Sequence, residues 1–257
     1  MHAKIGFIGG GRITAIFLSA WKGGGIDLKE VIVSDPDAEV LASLKARFPE
    51  IHIVSENRLS AAQDVVFLSL HPPVAKTVLP QIAQVLTPKA LVVSLAPVLT
   101  FEKLSELLGG FSRLARMIPN APSMVHRGFN PFAFGSGLPK EDRALLDRLF
   151  CPLGEHPQVA EAKLEAYAIL AAMGPTYFWF QWQALRELAG EFGLEKQEAD
   201  RALNSMLHGA VGLMFESGMD YTAVLDTVPV KPLADSQEGI ERVFREKLSA
   251  LHARLKG

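Results

Sequence analysis

The chain has 257 residues, 49% of them hydrophobic, and a formal net charge of -2, which suits one large domain or two smaller ones. No run of one charge sign points to a nucleic-acid or polyanion partner, and no apolar stretch reaches the ~20 residues that a membrane helix needs. A single cysteine, Cys151, excludes an internal disulfide framework, and no signal peptide is expected ahead of the first strand; together these predict a soluble cytoplasmic protein.

Ile5 to Ile8 is a short apolar run that predicts a buried strand. Gly9-Gly10-Gly11 follows, and then an apolar pattern with helical spacing at Ile13, Ile16, Phe17 and Ala20. Strand, glycine turn and helix form the entry to a dinucleotide-binding βαβ unit. In that reading Gly9 makes the tight turn and Gly11 lets the backbone approach a pyrophosphate. The helix start at Arg12 and Ile13 supplies unsatisfied N–H groups and the positive end of the dipole. The third fingerprint position is Thr14 rather than Gly. The competing reading is an ordinary glycine-rich turn. The helix is expected to run to about Lys22, where Gly23-Gly24-Gly25 stops it.

Glu30 to Asp35 predicts the second strand and its exit. Asp35, beside Ser34, stands close to the place, about 20 residues past the turn, where an acidic residue holds ribose hydroxyls. An Asp there favours NAD over NADP by repelling a 2′-phosphate, and the next basic residue is Lys45. Ser34-Asp35-Pro36-Asp37 equally fits a helix start, with Asp35 as cap or turn residue. Ile51 to Val54 is a short strand, and Val65 to Leu70 is uncharged and rich in β-branched and aromatic side chains, as a strand buried on both faces should be. It ends in His71-Pro72-Pro73. Ligands of open α/β sheets bind beyond the carboxyl ends of the strands, so Leu70, His71 and Pro72 are candidates for a wall against a nicotinamide ribose. His71 is also a candidate proton donor, with a structural turn histidine as the alternative.

Leu91 to Leu95 is the next strand, ending at Ala96-Pro97, and a helix follows from Phe101 to Leu108. Ser112 to Met117 is a further strand that leaves through Ile118-Pro119-Asn120-Ala121-Pro122, a rigid loop on the same edge of the sheet. Ala96 and Asn120 therefore join the cofactor-side candidates. Phe129 to Phe134, a helix from Pro139 to Phe150, and Gly154 to Val159 complete an α/β part with a doubly wound sheet, assigned to residues 1–156. Residues 157–257 carry helical periodicity throughout. One helix covers Glu161 to Ala172 and is interrupted at Met173-Gly174-Pro175. A second runs from Thr176 to Phe192, a third from Gln197 to Ser217, a short one lies within Asp220 to Thr227, and a last one spans Gln237 to Leu255. The third is apolar on more than one face, so part of its packing is expected from a second subunit, a homodimer through the helical part. No Cys, His and Asp cluster has the spacing of a metal site. Cys151 and His208 carry only structural readings.

The order of these motifs resembles pyrroline-5-carboxylate reductase, the last enzyme of proline synthesis, over most of the chain. Gly6 to Ile13 resembles the family's opening, and Asp64 to Pro72 its fourth strand, with His71 where the family usually has Lys. Arg116-Met117-Ile118-Pro119-Asn120-Ala121-Pro122 is close to the family's Met-Pro-Asn-x-Pro loop. Glu161 to Tyr177 resembles the segment leading into its Gly-Ser-Gly-Pro-Ala-Tyr. The resemblance implies a Rossmann-type domain, an all-helical dimerisation domain, and hydride transfer from NADPH or NADH to a cyclic imine, with NADP the family's more frequent cofactor.

Two departures bear on the substrate. The family's Ser-Gly-Ser-Gly-Pro-Ala-Tyr is Ala171-Ala172-Met173-Gly174-Pro175-Thr176-Tyr177 here, and its Ser-Pro-Gly-Gly-Thr-Thr carboxylate cradle is Pro229-Val230-Lys231-Pro232-Leu233-Ala234-Asp235. Each lost hydrogen bond to an ionised group costs about 1.5–3 kcal/mol. Lys231 is a candidate replacement charge, or a solvated loop lysine. Tyr177, Trp179 and Trp182 line a bulkier pocket in one reading and a core or subunit interface in the other. The expected activity is reduction of a C=N or C=O in a small substrate, with Thr176, Tyr177 and His71 as candidate proton donors. The alternative is a non-catalytic nucleotide- or metabolite-binding protein with a regulatory role.

Overall fold

The computed structural model describes residues 3–256. They form two compact units: one holds the chain as far as Met173 together with the residues from His252 on, the other Gly174–Leu251.

The first unit contains, in chain order, β1 (Ile5–Ile8), α1 (Arg12–Gly23), β2 (Val31–Ser34), α2 (Ala38–Arg47), β3 (His52–Val54), α3 (Asn57–Ala61), β4 (Val65–Leu68), α4 (Pro72–Ile82), β5 (Leu91–Ser94) and α5 (Phe101–Leu107). It continues with β6 (Leu114–Met117), β7 (Gly128–Phe129), β8 (Phe132–Phe134), α6 (Lys140–Phe150), β9 (Gly154–Glu155) and α7 (Leu164–Tyr167). Seven strands make one sheet in the order β3-β2-β1-β4-β5-β6-β8. All neighbours are parallel except β8, which runs antiparallel to β6. The first six follow the strand order of the doubly wound dinucleotide-binding fold.

Both faces of this sheet are covered, which is why its central strands are uncharged and apolar throughout. Side chains alternate between two cores. Phe7, Val65 and Phe67 join Phe17 and Trp21 on one face, while Ile8, Val66 and Leu68 join Leu79 and Ile82 on the other. Phe7 stacks on Phe67 with ring centroids 4.8 Å apart, and Trp21 lies 5.4 Å from Phe7. Trp21 also donates its Nε1–H to the Leu149 carbonyl at 2.7 Å, tying α1 to α6. Gly6 has no side chain to offer because α3 crosses it: a Cβ there would lie 1.8 Å from the Ser60 carbonyl oxygen.

Several elements differ from the sequence expectation. The helices α3 and α4 are not expected from the sequence pattern; α4 opens with Pro72 and Pro73 in its first turn, where a missing N–H costs nothing. Phe129 to Phe134 is two strands in different ladders, since β7 pairs with β9 and β8 with β6. Glu161 to Ala172 is not one α-helix. It is a 3₁₀ turn (Glu161–Lys163), then α7, then a π-helical turn (Ala168–Ala172) closed by the Met173 N–H on the Ala168 carbonyl at 3.0 Å. A π turn widens the backbone helix and is found disproportionately at functional segments.

The second unit contains α8 (Pro175–Glu191), α9 (Lys196–Glu216), α10 (Tyr221–Asp226) and the greater part of α11 (Ala234–Lys256). Its boundaries are chemically marked. Pro175 opens α8, Glu195 and Glu198 form a reciprocal capping box on α9, and the Asp220 carboxylate caps α10. Among the described residues of α8 to α11, only Ala189 and Ala199 are buried hydrophobic side chains. No helix of the described residues is long and apolar enough to cross a membrane.

Candidate functional site

The glycine turn lies where the strand order reverses, with β2 on one side of β1 and β4 on the other. Gly9 has φ +101°, and a Cβ on it would sit 2.5 Å from the Ser69 carbonyl oxygen, so this position requires glycine twice over. Gly11 is different: a Cβ there would meet nothing within 4 Å. It is the N-cap of α1 and brings no side-chain cap, so the first-turn N–H groups of Arg12 and Ile13 face a helix start with no acidic residue and no protein cap. Thr14 explains the altered fingerprint. It is fully buried, and its hydroxyl donates to the Gly9 carbonyl at 2.6 Å, closing the turn from inside.

Asp35 is built into this turn. One carboxylate oxygen accepts the Gly10 N–H at 2.8 Å and the other accepts the Asp37 N–H at 2.9 Å. Asp37, not Asp35, caps α2, accepting from Glu39 and Val40. Asp35 is therefore a turn residue whose carboxylate stands beside Gly10, with acceptor capacity left on both oxygens. Ser34 is fully buried, and its hydroxyl is engaged with the Phe7 carbonyl and with Asn57 Oδ1 at 3.0 Å.

The neighbouring strand exits complete the carboxyl edge. His71 is exposed at the N-cap of α4, and its own carbonyl accepts the Val74 and Ala75 N–H groups. Leu70 and Pro72 beside it are half-buried. The hydroxyls of Ser69 and Ser94, at the ends of β4 and β5, are buried and have no hydrogen-bond partner among the described residues. Ala96 is buried. Asn120 is nearly buried, and all its polar groups are used: Oδ1 accepts the Phe129 N–H, Nδ2 donates to the Ala171 carbonyl, and its backbone N–H donates to Asn130 Oδ1. It fastens the proline loop to the π turn.

An ion cluster that sequence reasoning missed lies behind this edge. Arg116, on β6, is completely buried. Its Nη1 donates to Glu161 at 2.8 Å and its Nη2 to Glu165 at 2.6 Å. Both carboxylates also reach the connection between β5 and α5. Glu165 accepts the Val98 N–H at 3.1 Å and Glu161 the Phe101 N–H at 2.7 Å. Val98 has φ +73°, a conformation that costs a β-branched residue about 1–3 kcal/mol. Burial works against the Glu165 charge, but the Arg116 guanidinium and the Val98 N–H outweigh it and hold the carboxyl below its ordinary range. The available signal was an arginine inside an otherwise apolar strand, followed by two glutamates four residues apart.

In the second unit, Thr176 is exposed and Tyr177 half-buried in the first turn of α8. Partial burial raises the Tyr177 phenol above its ordinary value, so it keeps its proton at neutral pH. Its ring packs edge-on against Phe244 at 5.9 Å and beside Phe178, which stacks on Trp182. The aromatic stripe is thus partly helix packing. Lys231 is exposed in the connection between α10 and α11. No group of three or more possible metal ligands occurs among the described residues.

Residues 4–97 match a family model described as NADP oxidoreductase, coenzyme F420-dependent. A pyrroline-5-carboxylate reductase of Pseudomonas aeruginosa is 27% identical over 219 residues, spanning 84% of this chain and 80% of that protein. The structure of a pyrroline-5-carboxylate reductase from Coxiella burnetii matches with a TM-score of 0.76 at 26% identity, covering 99% of this chain and 97% of that one. The pyrroline carboxylate reductase of Plasmodium falciparum, with NADP bound, matches with a TM-score of 0.79 at 19% identity over 99% of this chain and 95% of that one, a likeness of fold.

Proposed function

We propose that this chain, which belongs to the pyrroline-5-carboxylate reductase family, is an NAD(P)H-dependent reductase that reduces the C=N, or C=O, of a small substrate. The observation that carries the reading is Gly11: open space where a side chain would stand, at an uncapped helix start, at the reversal point of a doubly wound sheet. A phosphate group there meets N–H groups and the positive end of the α1 dipole. The buried hydroxyls of Ser69 and Ser94, left over by the protein's own hydrogen bonding, fit a polar ligand along the same edge.

In this reading residues 1–156 bind the dinucleotide and residues 157–257 form the helical domain. Gly9, Gly11, Arg12 and Ile13 serve the pyrophosphate through their backbone. Asp35 serves the ribose, with Ser34 as its framework. Leu70, His71, Pro72 and Ala96 wall the nicotinamide side, and Asn120 holds the loop beyond them. When bound, NADPH or NADH supplies the hydride. The chain orients it, excludes water and delivers a proton, for which Thr176, Tyr177 and His71 are the candidates. The replaced segment 229–235 argues for a substrate other than, or held differently from, the proline precursor.

We also infer a cytoplasmic homodimer. The unit Gly174–Leu251, with only Ala189 and Ala199 as buried apolar side chains and with Phe180, Phe192 and Phe215 well exposed, has its hydrophobic faces still to cover. A second copy covering them predicts a dimeric mass in solution by light scattering.

The activity is tested by following NADPH and NADH consumption with pyrroline-5-carboxylate, a panel of cyclic imines and a panel of 2-oxo acids. Turnover with a member of these classes is expected. Tight cofactor binding with no turnover on any of them would overturn the reductase reading in favour of a binding protein.

A further inference from the structure

The loop leaving β5 is held in a conformation that its own sequence disfavours. Val98 is neither glycine nor asparagine, yet it sits at φ +73°, and what holds it there comes from elsewhere in the chain. The Glu165 carboxylate accepts the Val98 N–H, the Glu161 carboxylate accepts the Phe101 N–H, and the buried Arg116 guanidinium binds both carboxylates. The two glutamates thus clamp the loop at its strained residue and at the first turn of α5. Each bond to a carboxylate is charge-assisted, and the guanidinium is fully out of water. The β5–β6 ladder is made by backbone pairs, and the two carboxylates reach past it to the loop. The clamp fixes the backbone from Ala96 to Val98 at the carboxyl end of β5, between the exits of β4 and β6.

We propose that Glu165, oriented by Arg116, is a positioning residue for the nicotinamide end of the cofactor: it holds the Ala96–Val98 backbone in the shape that this end of the dinucleotide meets. The proposal rests on the dinucleotide reading of the glycine turn and adds a division within the site. The adenine half is set by the glycine turn and Asp35. The nicotinamide half is set from behind by an ion cluster that touches no ligand.

The test uses the full chain and pairs of ligands that differ only at the nicotinamide: NADH with ADP-ribose, or NADPH with 2′-phospho-ADP-ribose, whichever pair the wild type binds. Glu165→Met removes the acceptor at similar volume. Its dinucleotide dissociation constant is expected to rise at least about fivefold while that of the fragment changes less than about twofold. Glu165→Gln, which keeps an oxygen for the Val98 N–H, is expected to keep the wild-type ratio. Adding Val98→Gly to Glu165→Met is expected to restore the ratio, because glycine reaches positive φ unaided. Equal weakening of both ligands, no weakening, or failure of Val98→Gly to restore the ratio overturns the proposal. If Glu165→Met alone does not fold, the double variant decides: a folded double variant with the wild-type ratio supports the clamp, and an unfolded one overturns it. A wild type that binds no dinucleotide at all would instead remove the functional reading beneath it.

Discussion

Substituting Gly11 by Ala separates a functional glycine from a structural one. The added Cβ meets no atom within 4 Å, and the residue sits at φ -71°, which alanine adopts without strain. Two small effects on stability oppose each other. Alanine restricts the unfolded chain, which stabilises by about 0.4–1 kcal/mol, and it is a poorer N-cap than glycine, which costs about the same. The expected change in unfolding free energy is therefore less than about 1 kcal/mol, within a few degrees in Tm. Binding behaves differently. In the proposed dinucleotide reading a pyrophosphate closes on the N–H groups of the α1 start at Gly11, and a methyl group there would hold it off. A loss of about 1.4 kcal/mol, tenfold in the cofactor Kd, is the least expected. Thermal unfolding and titration of the tryptophan fluorescence with NADPH and NADH measure the two sides on one sample. A Gly11→Ala protein that binds either cofactor within about threefold of the wild type would refute the assignment of this turn to the pyrophosphate.

Gly9→Ala is expected to fail in the opposite way, losing stability by about 1–3 kcal/mol through its positive φ and the contact with the Ser69 carbonyl; an unchanged melting temperature would contradict it. Asp35→Asn keeps an acceptor for the Gly10 N–H but removes the charge, so NADPH affinity is expected to rise about tenfold relative to NADH; a wild type that already prefers NADPH tenfold would refute the charge argument. Tyr177→Phe is expected to lower kcat about 100-fold with the cofactor Kd unchanged if its hydroxyl delivers the proton, and because the phenol is raised, no rate is lost to its ionisation below the ordinary phenol range. Glu165 is depressed in the fold, so its contribution to stability is complete above the ordinary glutamate range, about pH 4–5, and is lost as pH falls through the lower folded value. Wild-type thermal stability should therefore fall more steeply than that of Glu165→Gln as the pH drops below about 4, and parallel curves would contradict the pairing.

The sheet was legible because its strands are short, apolar apart from Arg116 and a few polar residues at their ends, and set off by glycine- or proline-containing turns. Val65 to Leu68 and Leu91 to Ser94 can be little else, and a glycine turn after β1 points to a doubly wound sheet, while the strand order itself is seen only in the fold. The helices α3 and α4 were harder. The first is five residues long, too short for periodicity to speak. Two prolines at the head of α4 read as a turn, although proline in a first helical turn is favourable. Gly6 held unused information: a glycine inside an apolar strand marks a close backbone approach, and here the approaching backbone is that of α3. The segment 161–172 has helical periodicity, but periodicity alone does not separate α from 3₁₀ or π winding.

The sequence places Gly9, Asp35, His71 and Ala96 at strand exits, where the fold has them, but it does not show the contacts their neighbours make. Asn120 and Arg116 lie in one short segment, the end of β6 and the proline loop that leaves it, and Asn120 was expected on the cofactor side of that loop. In the fold their side chains turn inward: Asn120 spends its amide on Phe129 and Ala171, and Arg116 spends its guanidinium on Glu161 and Glu165. A strand exit that must present backbone at a fixed place needs side chains to hold it from behind. A motif can therefore be specific because it fixes a loop rather than because it touches a ligand. The same reasoning accounts for Thr14. It replaces a glycine of the fingerprint yet preserves the turn, because its hydroxyl bonds the Gly9 carbonyl from inside. What the carboxyl edge of this sheet presents is a set of backbone positions, and Gly9, Thr14, Asp35, Asn120, Arg116 and Glu165 are the side-chain and conformational means by which this sequence holds them.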